Sequence, residues 1–176
     1  MSHQLLRELR DAIKEHLAEM ALRDPAIEDE TEDGAFRAPR VHLGSLPAKR
    51  KQAAQNQDFP FVVIRATSGE DRQDESVVDV QIVCGIYTAE DEEGGVNDLQ
   101  NLVDRIRALI MARRVFGGAF EVRLPMSWDV GSDEERNQPH PYYVGQLTPQ
   151  FVAPHQVALP EVAQALESYG AGLEAE

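Results

Sequence analysis

Residues Ser76–Thr88 carry the pattern that most limits how this chain can fold. Apolar side chains occupy every second position of the stretch: Val78, Val80, Ile82, Cys84 and Ile86. A period of two is typical of a β-strand that buries one face and exposes the other. Because a lone strand is not stable in water, the rest of the chain must supply a sheet around it.

The neighbouring segments supply further strands. Residues Phe61–Thr67 are rich in β-branched and aromatic side chains, and the polar stretch Ser68–Glu75 separates them from the alternating segment. This arrangement predicts an antiparallel hairpin. Residues Ala119–Leu124 and Tyr142–Val152 predict two more strands, and Pro149 inside the last one indicates an edge or a bulge.

Two segments have the three- and four-residue spacing of apolar side chains that predicts amphipathic helices. The first extends from Ser2, a suitable N-cap, to about Leu22, with Asp24-Pro25 as a stop. The second follows the acidic loop that ends at Gly95, and Gly117-Gly118 ends it.

Three stretches lack either periodicity. Residues Arg23–Asp58 combine an acidic run, several glycines and prolines and a basic trio, and we expect a long loop that is ordered by a partner. Residues Met126–Pro141 are expected to form a linker that contains Trp128. From Pro154 onward the sequence offers a short helix over Pro160–Tyr169 and then a tail rich in Gly, Ala and Glu.

The element order α-β-β-α-β-β predicts one α+β domain over residues 1–153, followed by a C-terminal tail over 154–176. We expect an antiparallel sheet of about four strands with two amphipathic helices packed on one face and a long inserted loop.

The charge balance limits the partners. The chain has 17 Lys and Arg residues against 31 Asp and Glu residues, a net charge of −14. Because phosphate-backbone binding needs clustered cations, we expect no sequence-specific nucleic-acid binding. The acidic surface favours proteins or cations as partners. No run of residues approaches the roughly 18 apolar residues of a membrane span, and the charged N-terminal segment does not read as a signal peptide, so we expect a soluble protein.

Motifs for chemistry are weak. Residues 29–34 match the opening of a calcium-binding EF-hand loop, but Arg40 stands where the loop needs a bidentate Glu. The five histidines show no zinc-binding spacing, and no glycine motif fits a phosphate site. Cys84 lies on the apolar side of its strand, where a small buried hydrophobe is usual. We therefore expect no cofactor, no metal and no catalytic residues.

Three surface features are candidates for contacts with other proteins. The first is a basic trio that could pair with an acidic loop of a neighbouring subunit or simply be solvated: Lys49, Arg50 and Lys51. The second is an acidic run that most often forms a solvated turn: Glu90, Asp91, Glu92 and Glu93. The third is Pro139–Tyr143, which includes His140, Tyr142 and Tyr143. It could be a rigid recognition edge, or its prolines could fix the start of the last strand while its tyrosines pack on the sheet.

The order of these segments resembles the tail completion, or tail terminator, proteins of tailed bacteriophages and prophages. The resemblance covers a little over half of the chain. It is carried by the FPFVVIR segment at Phe59–Arg65, the DVQIVCGIYT segment within Val78–Thr88, the helix Asp98–Ile106 and the aromatic strand Pro141–Gly145.

The resemblance implies a non-enzymatic subunit of the virion that forms a homo-oligomeric ring, typically a hexamer. Such a ring caps the tail tube, contacts the tube and in some tails the sheath, and joins the head–tail connector. It has no membrane partner, and DNA passes through its lumen. The long loop and the acidic loop would reach adjacent subunits. Another neck subunit, such as a head–tail adaptor or a head-completion protein, is an alternative with the same size and acidity. An enzyme with an unrecognised site is a remote alternative.

Overall fold

The computed structural model describes residues 2–25, 36–48, 57–88, 92–131 and 141–154. Within these ranges the chain forms two helices and eight strands. In chain order they are α1 (Ser2–His16), β1 (Leu22–Arg23), β2 (Phe36–Arg37), β3 (Arg40–Leu43), β4 (Phe61–Asp71), β5 (Glu75–Tyr87), α2 (Glu92–Arg113), β6 (Val115–Phe116), β7 (Phe120–Asp129) and β8 (Tyr142–Pro154).

The main sheet has six strands in the order β3-β4-β5-β8-β7-β6 and curls into a half-barrel. Its neighbours are antiparallel, except that β3 pairs with β4 in parallel. The predicted four-strand antiparallel sheet is therefore wrong. The two extra strands, β3 and β6, are four and two residues long, which is too short for a period of two to stand out in the sequence. β1 and β2 form a separate two-stranded ribbon.

The predicted hairpin is confirmed. β4 and β5 pair antiparallel from Phe61 opposite Gly85 to Asp71 opposite Ser76, with one irregularity between Ala66 and Ser68. The five alternating apolar residues of β5 are all buried and point to the helix side of the sheet. Their alternation therefore fixes which face of the central strand meets the core.

Both helices pack on this inner face. α1 contacts β3 and β4, and α2 contacts β8 and β5. α1 ends at His16 rather than near Leu22, because the chain continues into a turn in which the Met20 amide donates to the Leu17 carbonyl. Leu17 and Met20 are nevertheless buried, so the apolar stripe in the sequence extends beyond the helix that it predicts.

α2 begins earlier than predicted. Glu92, Glu93 and both following glycines belong to its first turns rather than to a loop. Acidic side chains are favourable at a helix N-terminus because they face the positive end of the helix dipole. The second half of the acidic run therefore favours the start of α2.

Two of the predicted irregular segments contain strands. Residues Arg23–Asp58 include the end of β1, all of β2 and all of β3, which corrects the expectation of an uninterrupted loop. β7 extends to Asp129, so Trp128 lies in a strand rather than in a linker. The helix predicted over Pro160–Tyr169 lies outside the described residues.

Pro149 lies at a bulge in a central strand. β8 has β5 on one side and β7 on the other, so it is not an edge strand. Arg123 of β7 pairs with Gln150 and Ser127 pairs with Thr148, which leaves residues 124–126 opposite Pro149 alone. Since proline has no amide hydrogen to donate to a ladder, this irregularity accommodates it.

Candidate interaction surfaces

The outer face of the sheet, opposite the helices, carries an aromatic cluster at one end. Phe59 lies 5.0 Å from Phe61 and 5.4 Å from Tyr142 between ring centroids, and Tyr87 lies 5.2 Å from Tyr142. Val63, Val83 and Leu46 pack around these rings. We call this group the outer aromatic cluster. Its tilted ring pairs are a favourable geometry for aromatic contacts.

A glycine makes room for the cluster. Gly85 of β5 lies opposite Phe61 of β4, and a Cβ atom at Gly85 would overlap the Phe61 ring. The ring therefore lies flat over the backbone of the neighbouring strand, a close approach that only glycine permits.

The rest of the outer face is polar and hydrogen-bonded across the three strands β4, β5 and β8. Arg65 Nε donates to Gln81 Oε1 over 2.7 Å, and Gln81 Nε2 donates to Gln146 Oε1 over 2.7 Å. Asp79 accepts hydrogen bonds from Ser68 and from Gln150 Nε2, the latter at 2.8 Å. These bonds lower the pKa of Asp79 below its usual value. We call this row the outer polar ladder.

An ion pair closes the far end of the ladder. Arg123 Nη2 lies 2.8 Å from Glu75 Oε1 and 3.0 Å from Oε2, which ties β7 to β5 across β8. Arg72 adds a longer contact of 3.5 Å to Glu75 Oε1. The outer face thus presents matched charges and paired amides, a surface that binds water well and offers little free energy for an apolar partner.

A buried ion pair joins the two strands of the small ribbon. Arg37 Nη1 of β2 lies 3.0 Å from Asp24 Oδ2, and both side chains are largely buried. Arg37 Nη2 also donates to the carbonyl oxygen of Phe59, beside the outer aromatic cluster. Burial lowers the pKa of Arg37, while the Asp24 carboxylate opposes this shift. The Arg37 side chain therefore links the ribbon to the chain where it enters β4.

The inner side of the sheet leaves an apolar groove open between α2 and β7. The groove encloses about 810 Å³, and its apolar lining is formed by Ala108, Met111, Leu124, Met126 and Trp128. The Arg107 guanidinium lies 5.3 Å from the centre of the Trp128 ring, a cation–π contact. We call this feature the α2–β7 groove.

The residues predicted to form contacts are spread over several environments. Glu93 is exposed in the first turn of α2, where Glu92 also lies. Tyr142 belongs to the outer aromatic cluster, whereas Tyr143 points inward and is buried. Both tyrosines pack on the sheet, as one of the two interpretations predicted. Outside the described residues lie Lys49, Arg50, Lys51, Glu90, Asp91 and His140.

The described residues offer few groups for chemistry. Residues 2–25, 36–48, 57–88, 92–131 and 141–154 contain no group of three or more His, Cys, Asp or Glu that could hold a metal ion. The Cys84 thiol is buried, and burial raises its pKa, which disfavours the nucleophilic thiolate. Neither described helix is long and apolar enough to cross a membrane.

The α2–β7 groove was missed by the sequence reasoning. The sequence does contain a pattern that indicates it. The apolar alternation of the preceding strand segment continues at every second residue through Leu124, Met126 and Trp128. Pro125 interrupted the pattern and led to the prediction of a linker from Met126 onward.

Comparison with known proteins gives no family assignment. No protein-family model matches the chain, and no curated protein matches it significantly.

Proposed function

We propose that this chain is a structural virion subunit similar to phage tail terminator proteins, which closes into a hexameric ring between the tail tube and the head connector. One observation supports the proposal most directly. The four segments that carry the resemblance fall on β4, β5, α2 and β8, which are neighbours in space as well as in order. α2 packs on β8 and β5, so the resemblance covers one packing unit rather than scattered matches.

The two edges of the sheet differ from each other, which favours a ring in which each subunit uses two different contact surfaces. β3 lies at one edge and pairs in parallel with β4. At the other edge β6 covers only the first two residues of β7, and no described strand pairs with the remainder of β7 on that side. Ring closure by heterologous contacts requires two different patches on each subunit, and these edges provide them.

The charge of the chain is compatible with a lumen through which DNA passes. A net charge of −14 repels the phosphate backbone and keeps DNA from adhering to the ring. The outer polar ladder adds paired amides and carboxylates without a cluster of free cations among the described residues of that face. DNA can move past such a surface without being bound by it.

The absolute mass of the purified protein tests the proposal. We expect size exclusion with light scattering, run over a concentration series, to give a discrete particle of six times the 19.6 kDa monomer mass. Arg40→Glu reverses an exposed charge on the β3 edge and should weaken this particle. Arg7→Glu, an equal change at an exposed position of α1, should leave it intact.

Pull-downs then separate the proposal from the alternative neck subunits. A terminator should retain purified tail tube protein, whereas a head–tail adaptor or head-completion protein should retain the portal. A monomer at every concentration that retains only the portal would contradict the terminator proposal and favour an adaptor.

A further inference from the structure

The α2–β7 groove presents large apolar side chains that no described element covers. Met111, Leu124 and Trp128 are 37%, 43% and 43% exposed, and they lie around one depression. Isolated exposed apolar residues are common on proteins, but a contiguous concave set of them marks a docking surface.

The C-terminal residues 155–176 have the sequence of a matching occupant. Three apolar residues of the predicted helix recur at spacings of four and three: Val162, Leu166 and Tyr169. This spacing places them on one side of a helix, and we call them the C-terminal stripe. Pro160 stands at the start of the predicted helix, where proline is favourable.

The length of the connection fits this occupant. β8 ends at Pro154, and Leu124 lies level with Pro149, the residue opposite the bulge. Five residues of strand correspond to about 17 Å. The five residues 155–159 span a similar distance when extended, on the order of 17 Å. They can therefore return the chain to the near end of the groove, beside Leu124.

The dimensions of the predicted helix also fit. Ten residues, from Pro160 to Tyr169, form a helix about 15 Å long. On α2 the groove lining extends from Gln100 to Met111, a rise of about 16 Å. A helix of this length fills the groove without extending beyond it.

The charges are complementary. Residues 155–176 contain four Glu and no Lys or Arg. The C-terminal part of α2 and the residue that follows it expose four arginines to solvent: Arg105, Arg107, Arg113 and Arg114. The same segment exposes one acidic residue, Asp104. In a chain with a strongly negative total charge, this is a cationic surface to which an acidic segment is attracted.

We propose that residues 155–176 dock in the α2–β7 groove of their own chain, with the C-terminal stripe against Trp128 and its apolar neighbours. The short connection makes the effective concentration of the segment at its own groove millimolar, which favours it over the same segment of a second copy. The proposal does not depend on ring formation and applies to the isolated subunit.

Trp128 is the reporter for the test, because it is the single tryptophan of the chain. Acrylamide quenching of its fluorescence is measured on the full chain, on Leu166→Glu and on Gln164→Glu. Leu166 lies in the stripe, whereas Gln164 lies on the opposite side of the predicted helix, so the two variants add the same charge on opposite faces. In Leu166→Glu the covered indole of Trp128 becomes half exposed, so we expect the quenching constant to increase about twofold. We expect Gln164→Glu to leave the quenching constant unchanged.

The results that overturn the proposal are equally specific. Equal quenching in Leu166→Glu and the wild type shows that the segment does not cover Trp128. Protection of Trp128 that disappears on dilution shows that a second copy is the occupant. Circular dichroism of each variant establishes that the sheet and helices are intact, which assigns any change to the groove.

A cysteine pair provides a second measurement that does not depend on fluorescence. Met111→Cys combined with Val162→Cys, the stripe residue nearest the Leu124 end of the groove, should form an intramolecular disulfide on mild oxidation, and native Cys84 is buried and cannot compete. The matched pair with Gln164→Cys should form it far less. Disulfide-linked dimers, or no disulfide in the first pair, contradict docking within one chain.

Discussion

Gly95, in the first turns of α2, lies directly against the ring of Tyr143 in β8. A Cβ atom at Gly95 would come within 2.5 Å of Tyr143 Cε2 and within 2.6 Å of Thr88 Cγ2. Tyr143 and Thr88 are both buried, so neither can move aside into solvent. The missing side chain at Gly95 thus allows the N-terminal end of α2 to lie on the sheet, next to the strand that carries both tyrosines.

Gly95→Ala should destabilise the protein. Alanine is the better helix former by up to about 1 kcal/mol, but the overlap with two buried side chains costs more, and we expect a net loss of about 1–3 kcal/mol in the free energy of unfolding. Chemical denaturation measures it. Asn97→Ala, at an exposed position of the same helix, is the control and should change stability by less than about 0.5 kcal/mol. A Gly95→Ala variant as stable as the wild type would show that the helix end can shift.

Arg37→Met should cost much more than the same change at a surface arginine. Removing Arg37 breaks its ion pair at 3.0 Å with the buried Asp24 carboxylate, and breaking a buried pair typically costs about 3–5 kcal/mol. Arg72 contacts Glu70 at 2.9 Å on the exposed surface, and Arg72→Met should cost far less because water screens an exposed ion pair. Urea unfolding of the two variants gives the comparison. Equal losses would contradict the structural role of the buried pair.

Stability should fall on mild acidification because of His42. Burial on β3 lowers the pKa of His42 below its ordinary value of 6.5, Asp58 opposes the shift and Arg40 adds to it. The unfolded chain therefore binds the proton more readily, so the stabilisation is complete above pH 6.5 and is lost as the pH falls from there towards the folded-state pKa. Because the side chain is only partly buried, we expect less than about 1 kcal/mol.

Thermal unfolding between neutral pH and mildly acidic pH measures this effect. His42→Asn should reduce the pH dependence in that window, whereas His3→Asn, at an exposed position of α1, should keep the wild-type slope. An unchanged slope in His42→Asn would assign the acid sensitivity to other groups.

Arg107→Ala should alter the surroundings of Trp128 with little effect on stability. The guanidinium lies 5.3 Å from the ring centre, and an exposed cation–π contact contributes about 0.5–1 kcal/mol. We expect a shift of the tryptophan emission in Arg107→Ala and none in Arg105→Ala, an equal truncation at an exposed position on the same helix. Identical spectra in both variants would contradict the contact.

The strongest sequence patterns identified elements correctly, while weak patterns failed at the edges of the sheet. The alternation in Ser76–Thr88 predicted β5, its buried face and its hairpin with β4. β3 and β6 were missed because strands this short are stabilised by pairing with a neighbour rather than by a pattern of their own. The sequence pattern places Trp128 in a linker because Pro125 interrupts it, although apolar residues continue at every second position as far as Trp128.

The sequence by itself determined the local conformation and the buried face of the long elements, since periodicity acts over neighbouring residues. It also determined the acidity of the surface. Only the tertiary structure decided that the Tyr142 ring meets the rings of Phe59 and Tyr87 and that Arg37 reaches Asp24. It also decided that Arg107 stacks over Trp128 across the α2–β7 groove. These contacts join residues that are far apart in the chain, and their geometry depends on how the sheet curls and where each helix lies on it.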